Sequence, residues 1–353
     1  MRLTKENLWV IATGAVAGVA ALLLVSFGNP ANMGFCIACF LRDTAGALKL
    51  HSAEAVQYAR PEIAGLILGS FLLALARKEF KPRGGSSPML RFVLGVLVMV
   101  GALVFLGCPL RMVLRLGGGD LNALVGLVGF AAGVGVGVLM LNKGFSLRRS
   151  YAQSALEGGA ISGVAVGVML LLTVGSSLLA FSQSGPGASH APWLLALGCG
   201  LTVGALAQRS RFCMAGCIRD SLLFRDFHLL WGSVALLVIV IVGNLILGKF
   251  NLGFEGQPIA HTDGLWNFLS MTVVGWGSVL LGGCPLRQLV LAGEGNSDSA
   301  VTVMGLTVGA ALCHTLGLAS SASGTTPAGR AAVVIALILL VVLSVGNLAR
   351  KGE

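Results

Sequence analysis

Along the chain, long apolar runs alternate with short polar segments. Runs of roughly 17–25 apolar residues, the length that crosses a hydrocarbon core as a helix, fall at about 8–28, 61–77, 88–107, 120–142, 160–181, 191–208, 228–248, 265–283, 299–318 and 328–349. Ten membrane-spanning helices are therefore expected. Pro61, Pro88 and Pro327 open three of them, at the first helical position, where the missing N–H is harmless. The first run is not followed by a small-residue cleavage site and a soluble domain, so it is expected to be a retained helix and not a signal peptide.

Composition agrees. Of 353 residues, 56% are hydrophobic and only 11% charged, with a mean hydropathy of +0.89, whereas soluble domains are about one quarter charged. The 51 glycines suit helices that approach closely in lipid. A formal net charge of +10 would suggest nucleic acid in a soluble protein. Here the charges sit at run ends, and no basic stretch is interleaved with aromatics. They orient the chain in a bilayer, and no nucleic-acid partner is expected.

Two motifs repeat. GFCIACFLRD (34–43) returns as RFCMAGCIRD (211–220), with Cys36 and Cys213 177 positions apart, and GCPLR occurs at 107–111 and 283–287, with Cys108 and Cys284 176 positions apart. Two unrelated motifs at nearly one offset indicate two homologous halves, 1–181 and 182–353, of five spans each. An odd number of spans per half inverts the second half. Placed on ten spans, seventeen Lys and Arg residues lie on the N-terminal side and seven on the other, which puts both termini in the cytoplasm. The fold class expected is an all-α polytopic membrane protein of two inverted pseudo-symmetric halves, with broken or re-entrant helices carrying the cysteines, an architecture used by transporters.

In GCPLR, Pro109 and Pro285 cannot continue a helix, and the cysteine before each is pushed out of α geometry. Backbone broken in this way is tolerated at membrane depth only inside protein or along a cavity. The short helix that follows offers free amides to an anion, with Arg111 or Arg287 in its first turn. In the other motif, Cys36 and Cys39, and Cys213 and Cys217, are followed by Arg42–Asp43 and Arg219–Asp220. Ionisable groups at such depth are expensive and usually functional, and each Asp can neutralise and orient its Arg. The expected arrangement places the Cys36 and Cys213 motifs at the two mouths of one path and the GCPLR cysteines at its centre. The blander readings are a structural helix break and a buried cysteine acting as a small hydrophobe.

Zinc is disfavoured because no histidine or further cysteine pair has a usual spacing. No metal or other cofactor is expected. A redox dithiol in CIAC is the main alternative, but the repeat copy has the wrong spacing for it. Cys199 and Cys313 read as packing residues, His314 as structural or a proton relay, and Asn122 and Gln208 as cross-helix bonds. There is no phosphate loop, no Ser/His/Asp set and no nucleotide-binding domain, so neither an enzyme nor a directly ATP-driven pump is expected.

These segments resemble the YeeE/YedE sulfur-transport family over essentially the whole chain. NMGFCIACFLRD, FLGCPLR and RFCMAGCIRD are similar to its YedE-type branch, assigned to selenium transport. The resemblance implies a multi-pass protein of the bacterial inner membrane with two pseudo-symmetric halves and dipping segments that place cysteines along a central path. In thiosulfate-transporting members, the cysteines are held to pass the anion on through S–H···S contacts without covalent chemistry. Carried over, Cys108 and Cys284 match the Gly-Cys tips, and Cys36 and Cys213 match the first dipping segment of each half. In the thiosulfate branch the tips run on into small residues and His-Gly. Here they run into Pro-Leu-Arg, so a selenium species or another reduced sulfur anion is implied as readily as thiosulfate. The leading expectation is a permease for a small soft anion, whose cytoplasmic thiols could hand cargo to a soluble sulfur or selenium carrier. The alternatives are a membrane thiol-disulfide oxidoreductase and a partner-binding subunit.

Overall fold

The computed structural model describes residues 5–348, which leaves Arg2, Arg350 and Lys351 of the basic tally, and residue 349 at the end of the last run, outside the described residues. The chain folds into α-helices joined by short connections. The first seven are α1 (Lys5–Ser26), α2 (Ile37–Ala47), α3 (Pro61–Ala76), α4 (Pro88–Phe105), α5 (Pro109–Gly117), α6 (Leu121–Asn142) and α7 (Ala155–Thr173). The next seven are α8 (Trp193–Ser210), α9 (Met214–Phe224), α10 (His228–Ile246), α11 (Gly264–Leu280), α12 (Pro285–Gly293), α13 (Ser297–Thr315) and α14 (Pro327–Gly346). A two-residue strand pairing, Arg83–Gly84 with Tyr151–Ala152, is the sheet among the described residues.

Among the described residues, eight segments, not ten, are long and apolar enough to cross a membrane: α1, Glu54–Ala76, α4 with α5, α6, α7, α10, α11 with α12, and α14. The other two apolar runs do fold as helices, α8 and α13, of 18 and 19 residues. Their polar residues set them apart. Gln208 and Arg209 end α8, while Asp298, Thr302 and His314 lie on α13. Both are packed between other helices, where the Gln208 amide nitrogen donates to Glu79 and Asp298 accepts from the Gly85 and Ser86 amides, while Gln208 Oε1 and His314 Nε2 are buried without a partner.

The core runs through α4 and α11, whose inner faces are almost wholly buried, and α7 and α14 lie at the periphery with most of their surface exposed. Packing crosses between the first seven helices and the last seven: α6 lies on α11 and α4 on α13, α3 on α8 and α1 on α10, with α4 and α11 in contact at the centre. Glycine makes the closest of these approaches possible. A Cβ on Gly69 of α3 would sit 2.1 Å from the Leu201 carbonyl of α8, and one on Gly204 of α8 would sit 2.2 Å from the Leu66 carbonyl, so backbone meets backbone with no side chain between.

Candidate functional site

Both GCPLR motifs break a long helix. After α4, Leu106 takes a left-handed φ of 63°, and after α11 Gly282 does the same at 81°. Cys108 and Cys284 follow in extended conformation as N-caps of α5 and α12, with Pro109 and Pro285 at the first helical positions. Cys36 and Cys213 likewise N-cap α2 and α9. Their sulfurs accept the amides of Cys39 (3.4 Å) and Gly216 (3.3 Å), whereas the Cys108 and Cys284 side chains make no cap bond. Four helix N-termini, each with its amides and positive dipole end, are thus fronted by a thiol.

These thiols meet in two pairs. Cys36 interacts with Cys108 and Cys39, and the Cys284 amide donates to Cys213 Sγ at 3.4 Å. The expected separation of mouth cysteines from central ones is therefore corrected. The N-termini of α2 and α5 converge, as do those of α9 and α12, which brings their capping cysteines together. Pro109 and Pro285 fix where the short helices begin, and thereby where the pairs form.

The surroundings of the two pairs differ. At the first, Cys36, Cys39 and Cys108 are at most 1% exposed. Arg111 is also fully buried: Nε donates to the Asn32 carbonyl (2.9 Å), Nη2 to the Ile259 carbonyl (3.0 Å), and Nη1 to the Leu106 carbonyl and to Cys39 Sγ (3.4 Å). The guanidinium closes the broken end of α4 and carries its charge among carbonyls and a thiol. Arg42 bonds Asp43 at 2.7 Å, and Arg60 reaches the same carboxylate at 2.8 Å, all three buried. Asp43 thus neutralises Arg42 as its motif suggests, but shares itself with Arg60, which lies outside the motif.

The second pair, Cys213 4% and Cys284 1% exposed, lies beside a cavity that Cys213 borders. This cavity, of about 550 Å³, is also lined by Trp9, Arg209, Arg211, Arg219 and Arg287, on the face where α1 begins. A second cavity of about 210 Å³ shares Arg209 and Arg211 and adds Lys81 and Arg83. Arg287 turns outward to Glu294 (2.9 Å), and Gln288 donates to the Leu281 and Gly283 carbonyls at the helix break in its place. Arg219 bonds Asp220 (2.8 Å) and reaches the Gly282 carbonyl (3.4 Å). Cys217 lies beside the pair, its thiol donating to the Met214 carbonyl (2.9 Å).

Cys313 is buried and Cys199 half-buried, and all eight cysteines are free thiols. Neither of these two belongs to the pairs. His314 stacks on His51, ring centroids 4.8 Å apart, beside the Arg42 carbonyl that His51 contacts. Asn122 bonds Asp120, which forms a fully buried pair with Arg115 at 2.6 Å. Outside the membrane, hydrogen bonds from Gln208 and Arg77 hold the Glu79 carboxyl below the usual carboxylate range. Among the described residues, no three His, Cys, Asp or Glu side chains are grouped to hold a metal. Arg60, Glu62, Asn29 and Arg115 escaped the sequence reading because they belong to no repeated motif. Arg60, Glu62 and Arg115 gave one signal, charge beside an apolar run, and the neutral Asn29 gave none.

Fold and site together define a multi-pass membrane protein in which thiol-capped helix breaks meet inside the bundle. The chain belongs to the sulphur transport family, the YeeE/YedE proteins: the family model, described as "Sulphur transport", matches residues 1–109 and 209–349. The first matched stretch holds the Cys36–Cys108 pair and the second holds the Cys213–Cys284 pair. Comparison with curated proteins gives no match. Membership makes the chain a sulfur-compound transporter by family.

Proposed function

We propose that this chain is a permease of the bacterial inner membrane for a small sulfur- or selenium-containing anion. The proposed path runs from the Cys36–Cys108 pair to the Cys213–Cys284 pair, between halves 1–181 and 182–353 in inverted orientation with both termini cytoplasmic. The observation that supports it most is the pairing of thiol-capped helix N-termini, each pair beside an arginine. A soft anion losing water needs donors that are polarizable and weak, because a conduction site must release what it binds. Helix N-termini and Arg111 or Arg287 supply the charge. The exchange of packing partners, α6 with α11 against α4 with α13, is what a pseudo-twofold arrangement would produce. On this reading the cavity beside Cys213 faces the cytoplasm, and a soluble sulfur or selenium carrier would collect its cargo there.

Uptake of labelled thiosulfate and labelled selenite by proteoliposomes containing the full chain tests the proposal. Entry of at least one, above empty liposomes and competed by its unlabelled form, is expected. Entry of neither would overturn it.

A further inference from the structure

We propose that Glu62 is a proton-binding carboxyl and that its protonation accompanies the anion across the membrane. The inference rests on the transport reading above and concerns residues that reading does not use.

Glu62 stands in the first turn of α3, 1% exposed, within a membrane-spanning segment. Its Oε1 accepts from Asn29 Nδ2 at 2.8 Å. Its Oε2 is buried with no hydrogen-bond partner. The geometry also says which oxygen takes the proton. Asn29 Oδ1 accepts the Ala191 amide at 2.8 Å, so the Asn29 amide cannot be turned over, and its nitrogen must donate to Glu62 Oε1 and to the Gly34 carbonyl (3.1 Å). Oε1 is committed as an acceptor, and a proton binds at Oε2.

Nearby charge leaves Glu62 unpaired. Arg60, two residues away, spends its donors on Asp43 Oδ2 (2.9 Å), the Pro186 carbonyl (2.7 Å) and Asn29 Oδ1 (3.4 Å). A buried carboxylate without a direct ion pair is costly, and protonation removes the cost. The amides at the start of α3 favour the ionised form, so the two tendencies oppose each other, as a group that titrates requires. The other ionisable groups around it are Arg42 and Asp43 from α2, Tyr58 and Arg60 ahead of α3, and Cys199 from α8. His190, in the segment before α8, stacks on Tyr58 with ring centroids 3.9 Å apart.

The charge count supplies the coupling. Arg42 and Arg60 against Asp43 and Glu62 sum to zero when Glu62 is ionised and to plus one when it is protonated. Asn29 ties the carboxyl to the Gly34 carbonyl, two residues before Cys36, so the cluster whose net charge changes is linked by one side chain to the segment that carries the first thiol pair. A proton on Glu62 and an anion at Cys36 therefore favour one another, and linkage makes the effect reciprocal. The proton comes from the aqueous side opposite the N-terminus, binds Oε2 without any other bond changing, and is released on the far side.

The experiment uses the full chain in liposomes, with labelled thiosulfate and labelled selenite and the voltage clamped at zero. An imposed inward proton gradient should drive accumulation of the transported probe, up to about tenfold per pH unit for one proton per anion. A protonophore should abolish it. E62Q keeps the acceptor for Asn29 and the side-chain volume but cannot titrate. It should still exchange labelled for unlabelled anion at equal pH while losing gradient-driven accumulation, and E62D should retain part of it. Wild-type protein should also show the infrared carbonyl band of a protonated carboxyl, absent from E62Q. That measurement needs no transport, and a wild-type spectrum without the band overturns the proposal. Wild-type uptake indifferent to the gradient overturns it too, as does gradient-driven accumulation by E62Q. Uptake of neither probe, with the infrared band present, would instead defeat the transport reading while leaving Glu62 as a proton site.

Discussion

Arg111 and Arg287 occupy the same place in two identical GCPLR motifs, yet Arg111 is folded inward onto the carbonyls of Asn32, Leu106 and Ile259, and Arg287 turns outward to Glu294. Their neighbours explain the difference. In the second copy Gln288, which replaces Met112, donates to the carbonyls at the helix break, and Glu294, which replaces Gly118, draws the guanidinium away. One arginine therefore seals a thiol pair while the other lines a water-accessible cavity.

Charge reversal should separate the two roles. Arg111→Glu places a carboxylate against three carbonyl oxygens in a dry site and should cost about 3–5 kcal/mol of stability, as expected for a buried charge without its partner. Detergent-solubilised protein should then aggregate on size exclusion. Arg287→Glu faces Glu294 across a wet cavity, so the protein should stay monodisperse while uptake falls by tenfold or more, an order of magnitude set by about 1.4 kcal/mol of lost attraction. Uptake by Arg287→Glu at the wild-type rate would remove this arginine from the path.

The helix breaks were legible in the sequence because proline and glycine act locally: Pro109, Pro285 and Gly282 dictate backbone wherever they stand. The apolar runs were legible for the same reason, through composition alone. The Asp43–Arg60 and Arg115–Asp120 pairs were not, because a buried ion pair is recognised by what surrounds it, and those surroundings come from elsewhere in the chain. Gly118 gave no hint that its counterpart at 294 would redirect an arginine. The contact between Cys36 and Cys108 also depends on how α2 docks against the tip of α5, which no spacing encodes. As for α8 and α13, hydropathy windows rank a helix by its own composition, and these two are held by neighbours.

The α3–α8 contact should tolerate no side chain at Gly69. A Cβ there would meet the Leu201 carbonyl at 2.1 Å, so Gly69→Val must push two helices apart, at a cost of about 1–3 kcal/mol for an overpacked contact. Thermal unfolding of the purified variant should report it as a lower midpoint. An unchanged midpoint would mean that the two backbones do not approach this closely in the membrane.

Topology follows from the distribution of Lys and Arg. Reporter fusions at the C-terminus should be active only in the cytoplasm, and fusions in the segment between α7 and α8, near residue 184, only outside. The reverse pattern would invert the proposed path and place the cavity beside Cys213 on the outer face.

Asp263, at the start of α11 on the surface, should make stability depend on acid. The hydroxyl and amide of Thr325 hold its carboxyl below its ordinary value of 3.8, with Arg330 adding attraction. A folded-state pKa that is depressed contributes stability above the unfolded value and loses it as pH falls through the folded one. Melting midpoints should therefore drop as pH is lowered from about 5 to 3, and Asp263→Asn should flatten the drop by on the order of 2 °C, since the carboxyl is partly exposed and screened. An identical pH profile for the variant would show that this clamp does not form.

The thiol pairs themselves give the sharpest expectation. Cys108→Ala and Cys284→Ala each remove a sulfur that fronts a helix N-terminus and makes no cap bond of its own, so helix stability should survive while uptake is lost. Cys36→Ala and Cys213→Ala remove a capping acceptor as well, which should lower stability by about 1 kcal/mol along with uptake. Cys199→Ala and Cys313→Ala, away from both pairs, should transport at close to the normal rate. Labelling adds a readout free of transport. A small membrane-impermeant thiol reagent applied from the face bearing the N-terminus should reach Cys213, which lines the open cavity, while Cys36 and Cys108, closed in by Arg111 and the Arg42–Asp43–Arg60 cluster, should stay unmodified from either face. Normal uptake by both Cys108→Ala and Cys284→Ala would disprove the thiol-lined path, and modification of Cys36 before Cys213 would show that the first pair, not the second, is the one open to water.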